Sequence, residues 1–237
     1  MNLKKIKINN NIYRLYFKKG VFEPTATTNF LISSFIKRNK KISNKKILDL
    51  GCGSGIVSII INDKLENNIF YASDLSKNSI VCCDKNFKKF KIKGIIKSGS
   101  LFKPWTDKKF DFIINDISGI SSILSKKSNW FKNVPADTGE DGTKLTIQVI
   151  KDSQKRLTKN GKLYLPLISL CNNDKVLRVA KLFFKNIKIT SENKWFLPKE
   201  LEKNKKLLEK LKKQNKINFE YKFGKFICST RILELKN

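Results

Sequence analysis

Histidine is absent from the 237 residues, which removes Ser–His–Asp and Cys–His nucleophile pairs, histidine general bases and every metal site built on imidazole. Arginine is scarce. Only Arg14, Arg38, Arg156, Arg178 and Arg231 stand among 50 basic residues, so the side chain that forks onto phosphate and guanine is rare. The five cysteines (Cys52, Cys82, Cys83, Cys171 and Cys228) form no C-x-x-C pair and sit within apolar stretches, so reduced thiols are expected rather than zinc ligands or disulfides. No apolar run approaches the roughly 20 residues of a membrane span; the stretch 56–61 is far shorter. The start, MNLKKIKINNN, has no hydrophobic signal core, and the expectation is a cytoplasmic protein with no membrane partner.

What is present is enough to build a core. Hydrophobic residues make up 40% of the chain and phenylalanine alone numbers 17, sufficient for one substantial domain but not two. The formal net charge is +30. A basic surface gains affinity for polyanions by releasing their counterions, which makes RNA a candidate partner. Lysine, however, accompanies abundant asparagine and isoleucine, a composition that an AT-rich genome produces without selection for binding, and charge alone leaves both readings open.

Residues 5–22 alternate apolar and polar side chains around Asn9, Asn10 and Asn11, the pattern of a short hairpin, and residues 1–25 are read as an N-terminal arm. Residues 26–237 form the main domain. Strands are predicted at 47–50, 70–73, 92–97 and 110–115, with helices from Gly55 and from Lys77; strands interleaved with helices mean a mostly parallel α/β sheet covered on both faces. A long helix is expected over 142–159 with Asn160 and Gly161 as its C-cap, then a strand at 162–169, a helix at 174–184 and a short strand at 187–189. Residues 199–213 read as one basic helix with Leu201, Leu208 and Leu211 on a thin stripe. Such a helix either faces RNA or packs its leucines on the sheet and extends its lysines into water. Strand-like runs at 217–222 and 226–235 close the chain.

The segment ILDLGCGSGIVSI, residues 47–59, carries the chemistry. An apolar strand ends near Asp49, the glycines Gly51, Gly53 and Gly55 follow, and a helix begins. Glycines let the backbone approach a ligand closely, and a helix start offers free N–H donors. The spacing is not the G-x-G-x-x-G of a dinucleotide site, because the third glycine comes one residue early, and no phosphate-loop lysine follows. Asp49 would repel a pyrophosphate and attract a cation, so a ligand with an amino group is favoured. Asp74 ends the next strand, where a carboxylate accepts the hydroxyls of a ribose. A nucleoside joined to a cation points to S-adenosyl-L-methionine.

On these residues the sequence resembles the class I methyltransferases. The resemblance implies a Rossmann-like, doubly wound, seven-stranded sheet and S-adenosyl-L-methionine as cofactor, with S-adenosyl-L-homocysteine as product. It implies that Asp49 lies near the methionine ammonium, that Gly51, Cys52, Gly53 and Gly55 surround the methionine part, and that Asp74 holds the ribose with Leu75 against adenine. Ser100 and Leu101 stand where the family carries an acidic contact to the adenine amine, which makes that contact weaker or backbone-borne here.

Three further segments resemble the branch of release-factor glutamine methyltransferases and their small-domain relatives: VFEPTATTNFLI at 21–32, TGEDGTKL at 138–145 and RLTKNGKLYLPL at 156–167. Asn115 falls where that branch has its Asn-Pro-Pro-Tyr motif, but here Asp116, Ile117 and Ser118 follow. The stiffening prolines and the stacking aromatic are missing, and the branch's N-terminal helical domain is not expected here. Asn115 is the expected hydrogen-bond acceptor for a nucleophile N–H and is expected to lie against the cofactor as well. Asp116 adds a carboxylate that either binds an amine and takes its proton or caps the following turn. Methyl transfer needs alignment and exclusion of water rather than histidine. Residues 117–136, with Trp130, Phe131 and Pro135, together with Phe22, Pro24, Thr25 and Ser118, are expected to surround the substrate, although the aromatics also suit a core. The resulting expectation is N-methylation of a protein or ribosomal component. An RNA base methyltransferase, a methyltransferase of a small amine or carboxylate metabolite, and a noncatalytic RNA-binding module are the alternatives.

Overall fold

The N-terminal alternation forms a hairpin in which β1 (Asn2–Ile8) and β2 (Asn11–Phe17) pair antiparallel and bury Ile8, Leu15 and Phe17 on one side. These coordinates are a computed structural model, which describes residues 1–8, 10–117, 119–130 and 137–237. Asn9, Ser118, Phe131 and Pro135, all singled out above, lie outside the described residues. The hairpin is docked by Asn86, whose side chain accepts from Tyr16 N at 2.8 Å and donates to Tyr16 O at 3.1 Å, so the arm is tied to the main sheet's helical layer rather than free of it.

The elements that follow are α1 (Ala26–Arg38), β3 (Lys46–Leu50), α2 (Ile56–Lys64), β4 (Ile69–Asp74), α3 (Lys77–Lys89), β5 (Gly94–Ser98), β6 (Phe110–Asn115) and a short α4 (Ser122–Ser125). After them come α5 (Lys144–Arg156), β7 (Leu157–Ile168), α6 (Asn173–Phe183), β8 (Asn186–Phe196), α7 (Lys199–Glu202), α8 (Lys205–Lys213), β9 (Glu220–Lys222) and β10 (Lys225–Lys236). The main sheet has the order β5-β4-β3-β6-β7-β10-β8, with short β9 beside β10 as an eighth strand. Strands β3 to β7 are parallel, and β10 runs antiparallel to both β7 and β8.

Alternate residues of the central strands feed opposite cores. Ile47, Phe70, Phe112 and Ile114 pack with α1, α2, α3 and the hairpin. Leu48, Leu50, Tyr71 and Ile113 pack with α5 and α6. Chain order reverses between β3 and β6, and the crevice at the carboxyl ends of strands at such a switch point is where open α/β sheets bind ligands. Among the described residues no helix is long and apolar enough to cross a membrane.

Several sequence expectations change. The helix expected to run to residue 159 stops at Arg156, and Gly161 is no cap: Phe110 pairs with Leu157 and Phe112 with Lys162, so residues 158–161 swell out of β7. A Cβ on Gly161 would stand 2.8 Å from Phe110 O, and that close backbone approach, not a left-handed cap, is what calls for glycine. The basic helix at 199–213 is two helices, broken at Lys203 and Asn204. The strand expected at 187–189 extends over eleven residues, because β10 pairs with it along its polar length.

Candidate active site

The turn after β3 is fixed by its glycines. Gly51, Gly53 and Gly55 take left-handed φ values of 79°, 53° and 82°. A Cβ on Gly51 would lie 2.4 Å from Ile117 Cγ1, so this glycine is needed for space as well as for conformation. Gly51 N and Cys52 N both donate to Ser73 O, at 2.8 and 3.0 Å, which locks the turn to the end of β4. Asp74, the last residue of β4, clamps the same turn: its Oδ2 accepts from Gly53 N at 2.9 Å and its Oδ1 from Ser76 N at 2.8 Å.

Around this turn lies a cavity of about 180 Å³ whose wall includes Gly51, Cys52, Gly53, Asp74, Leu75, Ser100 and Leu101, seven of the residues expected to hold cofactor. Leu75 is 65% exposed, which leaves an apolar face free over Asp74. The structure does not put the remaining three on the wall. Gly55 is packed under the helix start, where a Cβ would touch Cys83 Sγ and Phe87 at 3.0 Å. Asp49 and Asn115 are each 1% exposed, and each keeps one buried oxygen without a hydrogen-bond partner among the described residues, Asp49 Oδ1 and Asn115 Oδ1.

Asp49 Oδ2 accepts from Ser58 N at 3.2 Å and Ser58 Oγ at 2.8 Å. Burial outweighs those bonds and pushes the carboxyl up to about 7, with Asp74 adding to the rise. The Cys52 thiol, bonded to Cys83 and buried, is pushed well above its usual range, so it is a neutral lining group and not a nucleophile.

A second cavity of about 210 Å³ adjoins the first, and Phe22, Asp116 and Ile117 belong to both walls. Pro24 lines the first cavity; Thr25 and Trp130 line the second. Asp116 Oδ2 accepts from Thr28 Oγ1 at 2.6 Å, and Thr28 Oγ1 in turn accepts from Thr25 N at 3.1 Å in the first turn of α1. The carboxylate is therefore oriented by a helix start. Burial pushes the Asp116 carboxyl up to about 7 against the lowering effect of the Thr28 bond.

The second cavity is walled by residues that sequence reasoning passes over. Trp195 and Asn193 come from β8 and Thr230 from β10. Trp195 donates from Nε1 to Thr230 Oγ1 at 3.0 Å and meets Trp130 edge-on, with ring centroids 5.9 Å apart. Thr28 also escapes it, although the residue stands within the segment 21–32. Ser54, on the wall of the first cavity, has a buried Oγ without a partner.

Two observations test whether these residues suit the cofactor implied by the fold. The backbone of Gly51, Cys52 and Gly53 lines an open cavity, and buried oxygens of Asp49 and Ser54 beside it lack partners among the described residues. Unpaired buried oxygens are costly without a donor, and an ammonium group is one. The residues fit.

The methyltransferase small domain family matches residues 13–116, from β2 through the glycine turn and Asp74 to Asp116. Release factor glutamine methyltransferases are similar along more of the chain. That of Flavobacterium psychrophilum is 27% identical over 186 residues, 72% of this chain and 64% of the relative. That of Dictyoglomus turgidum is 28% identical over 187 residues, 75% of this chain and 65% of the relative. The chain thus spans somewhat less than two thirds of these relatives. A solved 16S rRNA N2 G1207 methyltransferase from T. thermophilus, in complex with AdoMet and guanosine, has the same fold over the whole chain and 50% of its own, with a TM-score of 0.64 at 12% identity. A ribosomal protein L11 methylase from Lactobacillus delbrueckii subsp. bulgaricus superposes on 93% of this chain and 84% of its own, with a TM-score of 0.56 at 16% identity.

Proposed function

This chain has the class I methyltransferase fold, and from that premise we propose that it transfers a methyl group from S-adenosyl-L-methionine to a nitrogen of a protein or ribosomal component. One observation carries the reading: Asp116 lines both cavities, so groups bound in the glycine-cradled one and the aromatic one meet at a single carboxylate. The methylation of a protein nitrogen is favoured by the release factor glutamine methyltransferases among its relatives.

The cofactor supplies a methyl group already activated by its sulfonium. Asp49 would balance the ammonium of the methionine part, the backbone of Gly51, Cys52 and Gly53 would cradle it, and Asp74 would accept from the ribose hydroxyls. Leu75, Ser100 and Leu101 would flank the adenine. Phe22, Pro24, Thr25 and Trp130 would seat the acceptor and keep water from the transfer path. Asp116, held by Thr28, would take the proton that the acceptor nitrogen gives up on receiving the methyl group. A carboxyl near 7 is suited to this exchange at neutral pH.

The test is to incubate the protein with methyl-labelled S-adenosyl-L-methionine and an extract of cells lacking the gene, then to size the labelled product after protease or ribonuclease. Label released by protease alone supports the reading. Release by ribonuclease alone makes the acceptor RNA, and label that is small from the outset makes it a metabolite.

A further inference from the structure

The strongest feature outside the two cavities is the basic layer at the β9–β10 end of the sheet. Phe223 stands at the tip of this hairpin and is 98% exposed, more than any other large apolar side chain among the described residues. Its backbone is left-handed, with φ 52°, next to Gly224 at 70°. A phenylalanine held in that conformation and fully in water costs stability and returns no packing. Tyr221, half exposed, leans on Phe226 with ring centroids 4.8 Å apart, and Lys205 Nζ lies 4.8 Å from the Tyr221 ring centre. Leu208 and Leu211 of α8 are buried, which leaves Lys205, Lys206, Lys210 and Lys213 on its outer face, while Lys212 folds back onto Phe219. Residues 194–225 hold eleven lysines and four glutamates. Of the glutamates, Glu220 is already paired with Lys194 and Lys222.

We propose that the β9–β10 tip and the outer face of α8 bind single-stranded RNA, with Phe223 and Tyr221 stacking on unpaired bases and the α8 lysines meeting the phosphates between them. An acidic peptide would satisfy the lysines but has no flat faces for two exposed rings. A duplex hides its bases. RNA presents unpaired bases in its loops, bulges and single-stranded stretches, and base–aromatic stacking on a cationic surface is the general mode of single-strand binding. The buried leucines of α8 share one apolar cluster with Trp130 and Trp195, which wall the second cavity, so the surface is joined structurally to the acceptor side of the site. The inference does not rest on methyl transfer.

The experiment measures binding of a fluorescent twelve-nucleotide oligouridine to the full chain, without cofactor, by anisotropy at several salt concentrations. Binding is expected to weaken steeply with salt. F223A should lose about tenfold in affinity with the salt slope unchanged, and F223W should restore it. K206Q combined with K225Q should instead flatten the slope, by about 0.7 for each phosphate no longer neutralised. Because Phe223 touches no core, its removal leaves folding intact. F223A binding as tightly as the parent would overturn the proposal, leaving only diffuse charge attraction. Polyglutamate or anionic vesicles binding with the same dependence on Phe223 would overturn it in favour of an acidic protein or a membrane.

Discussion

Asp116 and Asp74 carry different burdens, and single substitutions separate them. Asp116 must be ionised to take a proton, and its carboxyl is pushed up to about 7, so turnover should rise between pH 6 and 8. Asp116→Asn should remove that rise and slow single-turnover transfer by about a hundredfold or more, with cofactor affinity little changed. Asp74 accepts from Gly53 N and Ser76 N, and it is the carboxylate proposed to hold the ribose. Asp74→Ala should weaken S-adenosyl-L-methionine binding at least about tenfold in calorimetry, each charge-assisted bond being worth roughly 1.5–3 kcal/mol, while the circular dichroism spectrum stays the same. Asp74 was legible because a carboxylate at a second-strand tip has few other uses. Thr28 was not, since a threonine in a helix's first turn reads as an ordinary cap, and only the fold brings Asp116 within 2.6 Å of it.

Elements were legible where the hydrophobic pattern is local. The strand-turn-helix from β3 to α2 announces itself, because Ile47 and Leu48 feed opposite cores and the glycines must follow. Strand β8 did so only at 187–189, since the polar residues beyond carry little apolar alternation and are held mainly by pairing with β10, a strand distant in sequence. Asn193 and Trp195, on the acceptor cavity's wall, were hidden with it. The end of α5 was misjudged because Asn-Gly is a common helix stop, while here residues 158–161 bulge beside β6. That account makes a stability prediction. Gly161→Ala would press a Cβ against Phe110 O and Thr158 N, backbone atoms that have no room to yield, and against Leu157 Cβ. A loss of at least about 1 kcal/mol is expected, lowering the melting temperature by roughly 2–4 °C or more. A glycine needed only as a C-cap would show its cost in α5 helicity instead.

At the scale of the whole molecule, Asp49 and Asp116 couple protons to stability, and Asp49 is expected to couple them to the cofactor as well. Both carboxyls are pushed from near 3.8 to about 7 on folding, chiefly by burial. The folded chain therefore keeps protons that the unfolded chain gives up, and the contribution of these groups to stability falls as pH rises from about 4 to about 7. A cation bound against Asp49 reverses the preference, because it favours the ionised carboxylate. Affinity for S-adenosyl-L-methionine should accordingly rise through the same window, with protons released on binding. At pH 6.5 the binding enthalpy measured in phosphate and in a buffer of large ionisation enthalpy should differ in proportion to that release. In Asp49→Asn most of the difference should vanish. Equal enthalpies in the two buffers for the parent protein would mean that Asp49 does not face the cofactor's charge, and that its unpaired oxygen serves the packing of the β3 end alone.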